Sequence, residues 1–314
     1  YTGYIFLLIG LVLSLVTRNS RFMKLNRRLR ELIDSNKKEL TLLVLLCFSL
    51  TTNAQSKENP MIEAVQKFAV STEHADKFGA LPVQSSNGRM IPVNTFSSEI
   101  LRKLHKSDKI GSLNSDQFLL SLLAMPDMWM RVPLIAVSNN ELAGFYNLTE
   151  GQSAYIEMFD SNGNYKLQEG VEGAYNKMPN ERSRFDKDLL KLDEQVNIMH
   201  QLINGQMLNL FPKEDDPNHT WYASGDDLSV FTGKDSMFVS RVMDWYISEV
   251  QTALKSADWT KANEVLGMIA TYQDAKSGTL IIDHEKLASE IKYNKQQVFR
   301  FTKIFYLILG GLLL

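Results

Sequence analysis

The stretch FGALPVQSSNGRMIPVNTFSSEILRKL, residues 78–104, decides how the chain reads. Asn87-Gly88 is a turn pair between two short extended pieces, 81–84 and 89–93, so the first part reads as a hairpin. Pro82 and Pro92 each remove a ladder donor, which confines these strands to a sheet edge or to a few residues. A helix follows at once. Thr95 is placed to cap it, Phe96, Ile100, Leu101 and Leu104 share one face, and Arg102, Lys103 and His105 point away. This hairpin and helix form a small folding unit that carries no chemistry of its own.

Outward from that unit, 314 residues suffice for one large or two ordinary domains, and a formal net charge of −2 with pI near 6.3 argues against a nucleic-acid partner. Three apolar runs set the topology: residues 1–16, 40–50 and the segment from about 299 to 314. Between the first two lie eight Lys/Arg over residues 18–38 against Glu31 and Asp34 alone, a basic loop that the positive-inside rule places on the cytoplasmic side. The expected organisation is the end of a transmembrane helix (1–17), a basic cytoplasmic loop (18–38), a second transmembrane helix (39–54), an exported domain (55–297) and the start of another transmembrane helix (298–314). The second run also imitates a secretory signal, with Lys37-Lys38, an apolar block, and Thr52-Asn53-Ala54 before Gln55. Either way the domain is exported. A first residue Tyr1 and a last residue inside an apolar run read as an internal piece of a longer polypeptide.

The sole cysteine, Cys47, falls in the second apolar run, so the exported domain has neither disulfide nor thiol and is held by its own core. Its pattern predicts a mainly helical (α+β) fold with short β-hairpins, flanked by transmembrane helices. Asn59-Pro60 opens a short helix with Met61, Val65, Phe68 and Ala69 as its stripe. Asn114 caps another that Pro126 ends, and residues 132–137 read as a strand. Ser183 begins the most regular segment, where Phe185, Leu189, Leu192, Val196, Met199 and Ile203 make one seam and Gly205 stops it. Residues 207–211 read as a strand before a turn-rich segment around His219, Trp221 and Tyr222. Two helices, from Asp235 and from Asp258, are close enough to pack as an antiparallel pair, and Asp283 caps the last.

The stretch 78–104, with Pro126-Asp127-Met128-Trp129 and Pro133, Phe185-Asp186-Lys187, Lys191-Leu192-Asp193-Glu194-Gln195-Val196-Asn197-Ile198, Phe211-Pro212 with Trp221-Tyr222, and Glu290-Ile291-Lys292-Tyr293-Asn294-Lys295, resembles the exported insert of the fused ResB–CcsA cytochrome c biogenesis proteins of the Bacteroidetes type. The likeness covers nearly the whole chain. It implies a system II machine of the bacterial inner membrane that exports haem and attaches it to apocytochrome c, with this segment as the periplasmic join between two membrane halves. The marks of the likeness are Phe78, Gly79, Gly88, Arg89, Pro92, Thr95, Glu99, Arg102, Asp193, Glu194 and Asn197. The implied partners are apocytochrome c, the remaining membrane helices and the lipid bilayer, and the implied cofactor is haem in the whole protein.

The family's tryptophan-rich haem-handling loop has no counterpart here, because Trp129, Trp221, Trp245 and Trp259 all stand apart. No catalytic residue and no metal ligand is therefore assigned within the chain. The candidates for haem contact are His219 beside Trp221 and Tyr222, and His74 beside the signature stretch; a loop or core histidine accounts for each as well. His105 and His200 late in helices suit the dipole, and His284 reads as solvated. Met125, Met128, Met130 and Met237 read as core filler. Asn147-Leu148-Thr149 and Asn218-His219-Thr220 match glycosylation sequons that arise readily by chance, and Asp215-Asp216 and Asp226-Asp227 read as solvated acidic turns. The competing function is a membrane-anchored scaffold domain that binds a partner protein without haem, for which the helical pair would serve.

Overall fold

A computed structural model describes residues 59–214, 216–278, 282–296 and 298–313. The first two apolar runs, the basic loop, Cys47 and the Ala54-Gln55 boundary lie outside these residues. The chain divides into a large unit, residues 58–298, and a second unit that includes residues 299–314.

Among the described residues the large unit is helical with four two-stranded antiparallel sheets. Asn59 caps α1 (Pro60–Lys67) by accepting from the Met61 amide, and Ile62 and Val65 are the side chains it buries. Phe68, expected on that face, is exposed, because the helix ends at Lys67 and the chain turns away. A helix unforeseen in the sequence, α2 (Thr72–Gly79), follows with Ser71 as its cap and carries the Phe78-Gly79 pair at its end. The expected hairpin is β1 (Pro82–Gln84) against β2 (Met90–Pro92), with Pro82 opposite Pro92. Gly88 turns it with a φ of +80°, which glycine adopts without steric cost. Helix α3 (Val93–His105) starts directly from the strand.

After the small hairpin β3 (Lys109–Ile110) and β4 (Leu113–Asn114), a full capping box between Asn114 and Gln117 opens α4 (Ser115–Ala124), and the single turn α5 (Pro126–Trp129) follows. Trp129 is the largest wholly buried side chain. It meets Phe118 edge-on at 5.0 Å and donates from Nε1 to Ser121 Oγ at 2.9 Å. Strand β5 (Pro133–Val137) passes through α6 (Asn140–Tyr146) to pair with β6 (Gly151–Ala154). A short helix α7 (Gln168–Tyr175) packs on α8 (Arg184–Ile203), which Ser183 and Asp186 cap reciprocally. Its seam of Leu189, Leu192, Val196 and Met199 is buried as the spacing demands.

Residues 207–210 are irregular rather than strand, with Asn209 bonded to Gln84, and the pairing is confined to β7 (Phe211–Pro212) and β8 (Trp221–Tyr222). Helices α9 (Gly233–Ser256) and α10 (Thr260–Lys276) pack on each other, and α9 also lies on α4, where Gln251 donates to the Ala124 carbonyl at 2.7 Å. Of the methionines expected as filler, Met125, Met128 and Met130 pack on the core, whereas Met237 is exposed on the first turn of α9. Helix α11 (His284–Gln296) closes the unit, with Asp283 Oδ1 accepting from the Lys286 amide. In the second unit, α12 (Val298–Leu313) is 16 residues long and exposes Phe301, Ile304, Phe305, Tyr306, Leu307 and Ile308. No helix among the described residues is long and apolar enough to cross a membrane.

Replacing Trp129 by Phe removes a buried hydrogen bond and leaves both a void and an unpaired Ser121 hydroxyl. It is expected to cost about 2–4 kcal/mol, read as a fall in the urea midpoint with an unchanged slope.

Candidate functional site

Thr95 does not cap α3. The first helical residue is Val93, whose amide already donates to the Leu81 carbonyl at 2.9 Å across the hairpin, so the helix begins three residues earlier and Pro92 holds the cap position without a side-chain bond. Thr95 thereby lies in the first turn, where its hydroxyl faces α11. It donates to Glu290 Oε1 at 2.8 Å and accepts from Asn294 Nδ2 at 2.8 Å. Glu290 and Asn294 are four residues apart and share one face of α11. Arg89, at the foot of β2, pairs with the other oxygen of Glu290.

The network runs inward from there. Asn294 Nδ2 also lies 3.2 Å from Asn94 Oδ1, and Asn94 Nδ2 donates to Asp116 Oδ2 at 2.6 Å. Ser97 donates its hydroxyl to the other oxygen of the same carboxylate. Asp116 sits in the first turn of α4 at 2% exposure, and burial raises its pKa above the ordinary 3.8 while the Ser97 and Asn94 hydrogen bonds oppose that rise. Gly79 belongs to this arrangement through space: a Cβ there would stand 2.6 Å from Asp116 Oδ2, so only glycine lets α2 close over the buried acid. Lys295 reaches Asp76 of α2 at 2.8 Å on the rim. Gly79, Arg89, Thr95 and the 290–295 motif, up to about 216 residues apart, are thus one hydrogen-bonded assembly.

The remaining signature residues do different work. Gln195 donates to the Lys103 and Leu104 carbonyls at 2.6 and 3.3 Å, which finishes α3, and Glu194 pairs with Lys103 at 2.5 Å. Asp193 accepts from the Tyr165 hydroxyl at 2.8 Å and from Asn197 at 3.1 Å, fixing the segment before α7 to α8. Arg102 pairs with Asp108 at the surface, and Glu99 is exposed without a polar partner among the described residues. Gln195 and Asn94 are buried amides whose partners nothing in the quoted stretches reveals.

His74 is buried at 1% exposure, with Nδ1 3.0 Å from Asn263 Oδ1 and Nε2 2.9 Å from the Tyr246 hydroxyl. A neutral ring satisfies both by donating from Nδ1 and accepting at Nε2. Its face lies 4.7 Å from the Trp259 ring, and burial lowers its pKa below the usual 6.5. His105 does not point away: it is half-buried, with Nδ1 3.4 Å from the Leu134 carbonyl and 3.1 Å from Gln152, because β5 and β6 pass over the end of α3. Trp221 is buried with Ile282, Leu287 and Met90, and Tyr222 stands edge-on to Phe231. His219 is exposed at a left-handed φ of 52°, and its carbonyl accepts from Gln84. His200 and His284 bond to Tyr155 and Asp274. Ring nitrogens of His74, His105, His200 and His284 bond to partners within the domain, and no group of three His, Cys, Asp or Glu able to hold a metal occurs among the described residues.

No family model matches the chain. It is similar to Protein NrfI of Wolinella succinogenes, 31% identical over 320 residues that cover 100% of this chain and 34% of the relative. The chain therefore spans about a third of the length of the curated relative it matches.

Thr95→Val removes the donor to Glu290 and the acceptor for Asn294 at constant shape and is expected to cost about 1–3 kcal/mol, whereas Thr95→Ser keeps most of the stability, as urea midpoints will read. A second expectation concerns pH. The unfolded chain protonates His74 and His105 as pH falls through about 6.5 while the folded rings, held below that value by burial, resist. Stability from these rings is full above pH 6.5 and lost as pH falls through the folded values. Asp116 has the opposite sign in a lower window, since a raised carboxyl favours folding at low pH and loses that advantage as pH rises past 3.8. Urea midpoints between pH 7.5 and 5 should fall, and the fall should shrink in His74→Gln and in His105→Gln.

Proposed function

We propose that this chain is a segment of a membrane machine for cytochrome c assembly, and that residues 55–297 form its periplasmic part, positioning apocytochrome c or a neighbouring haem site by contact. In this reading the runs at 1–17, 39–54 and 298–314 lie in a bacterial inner membrane, and haem is held by parts of the protein outside this chain. The observation that carries the reading is the meeting of two separate marks of the ResB–CcsA likeness, residues 78–104 and 290–295, in one hydrogen-bond network. A likeness confined to composition would have no reason to join residues about 200 apart. The similarity to NrfI across the whole of this chain, within a relative about three times as long, supports the same reading.

Within it the chain's own residues do mechanical work. The Thr95–Glu290–Asn294 contacts fix α11 against the signature helix. Of the haem-contact candidates, His219 alone presents an exposed ring; His74 and Trp221 are absorbed by packing.

The test is made in cells, in the whole protein that contains this segment. Thr95→Val combined with Glu290→Gln should lower covalent haem on c-type cytochromes several-fold with the protein's membrane level unchanged. Unaltered yields from a variant whose network is broken would reject the cytochrome reading and leave the scaffold role.

A further inference from the structure

The attachment of α11 differs in kind from that of the other long helices. It buries one side chain of its own, Leu287, which joins Ile282, Trp221 and Met90 in a small apolar cluster separate from the main core. Helix α8 buries nine side chains and α9 six. Among the described residues polar contacts also hold α11: Glu290 on Thr95 and Arg89, Asn294 on Asn94 and Thr95, Lys295 on Asp76, and His284 on Asp274. Groups of this sort exchange their partners for water at small net cost when they separate, whereas an apolar seam opens only against the full hydrophobic penalty. Thirteen largely polar residues also form a marginal helix when left undocked.

We propose that α11 is a strap: it unlatches from α3 and β2 as a unit while residues 59–278 stay folded. The closed state is given a single register by the Thr95 hydroxyl, which is satisfied on both sides only when Glu290 and Asn294 are both seated. Opening uncovers Met90 and Trp221 beside Asn94 and Thr95, with the Asp116 carboxylate behind them. The inference rests on the contacts of α11 and does not depend on the cytochrome reading.

Amide hydrogen exchange followed by mass spectrometry on the whole protein in detergent at neutral pH tests it. In the unaltered protein, amides of residues 287–295 should exchange about tenfold or more faster than those of α8. Thr95→Val, and independently Asn294→Leu, should quicken α11 by a further factor of about 3–30 and leave α4 and α8 unchanged. Equal protection of α11 and α8 in the unaltered protein would overturn the strap, as would an acceleration shared by all helices in both variants. A variant that fails to fold leaves the first comparison to decide.

Discussion

The structure of the large unit depends on the cost of leaving a buried polar group unpaired. Asp116 is enclosed by α2, α3 and α4, and an enclosed carboxylate is tolerable only with donors in place. Asn94 and Ser97 provide them from the first turn of α3, which fixes the rotation of that helix about its axis. The same turn then presents Thr95 outward to α11. One buried acid therefore orients the signature helix, and the orientation of that helix selects where the last helix docks. Gly79 completes the constraint by allowing α2 to approach within the radius of a methyl group.

Around that polar centre the bulk of the unit is ordinary apolar packing with amides finishing the helix ends. Gln195 at the end of α3 and Gln251 at the end of α4 satisfy carbonyls that a helix leaves open, each from a different helix. These cross-helix caps tie neighbouring elements together with direction, which an apolar contact alone does not do. The histidines serve the same purpose: His74 bridges α2 to α9 and α10 through Tyr246 and Asn263.

Much of this was legible in the sequence because it is periodic or local. The hairpin around Asn87-Gly88, the Asn114 and Ser183 caps and the α8 seam all follow from patterns within a few residues. What was not legible is long-range. Thr95 reads as a cap because nothing nearby reveals that the Val93 amide is satisfied by Leu81, or that a partner waits at Glu290. His105 reads as exposed because β5 and β6 are distant in sequence, and Phe68 reads as buried because periodicity cannot tell where a short helix stops. Helix α2 is short and polar, with its buried face made of His74, Ala75, Phe78 and Gly79, which no hydrophobic repeat announces. The site was visible as two motifs but not as one object.

The separation of the two motifs has a consequence for the order of synthesis. Asn94, Thr95 and Asp116 emerge from the ribosome long before Glu290 and Asn294, and contacts of such sequence separation close late. Until then the hydroxyl of Thr95 faces water and the signature helix lacks its cover. The domain therefore reaches its finished form only when the chain has been made through its last helix, at the threshold of the apolar run that follows. Completion of the fold is a late event of its translation, marked by the seating of Glu290 and Asn294 on Thr95.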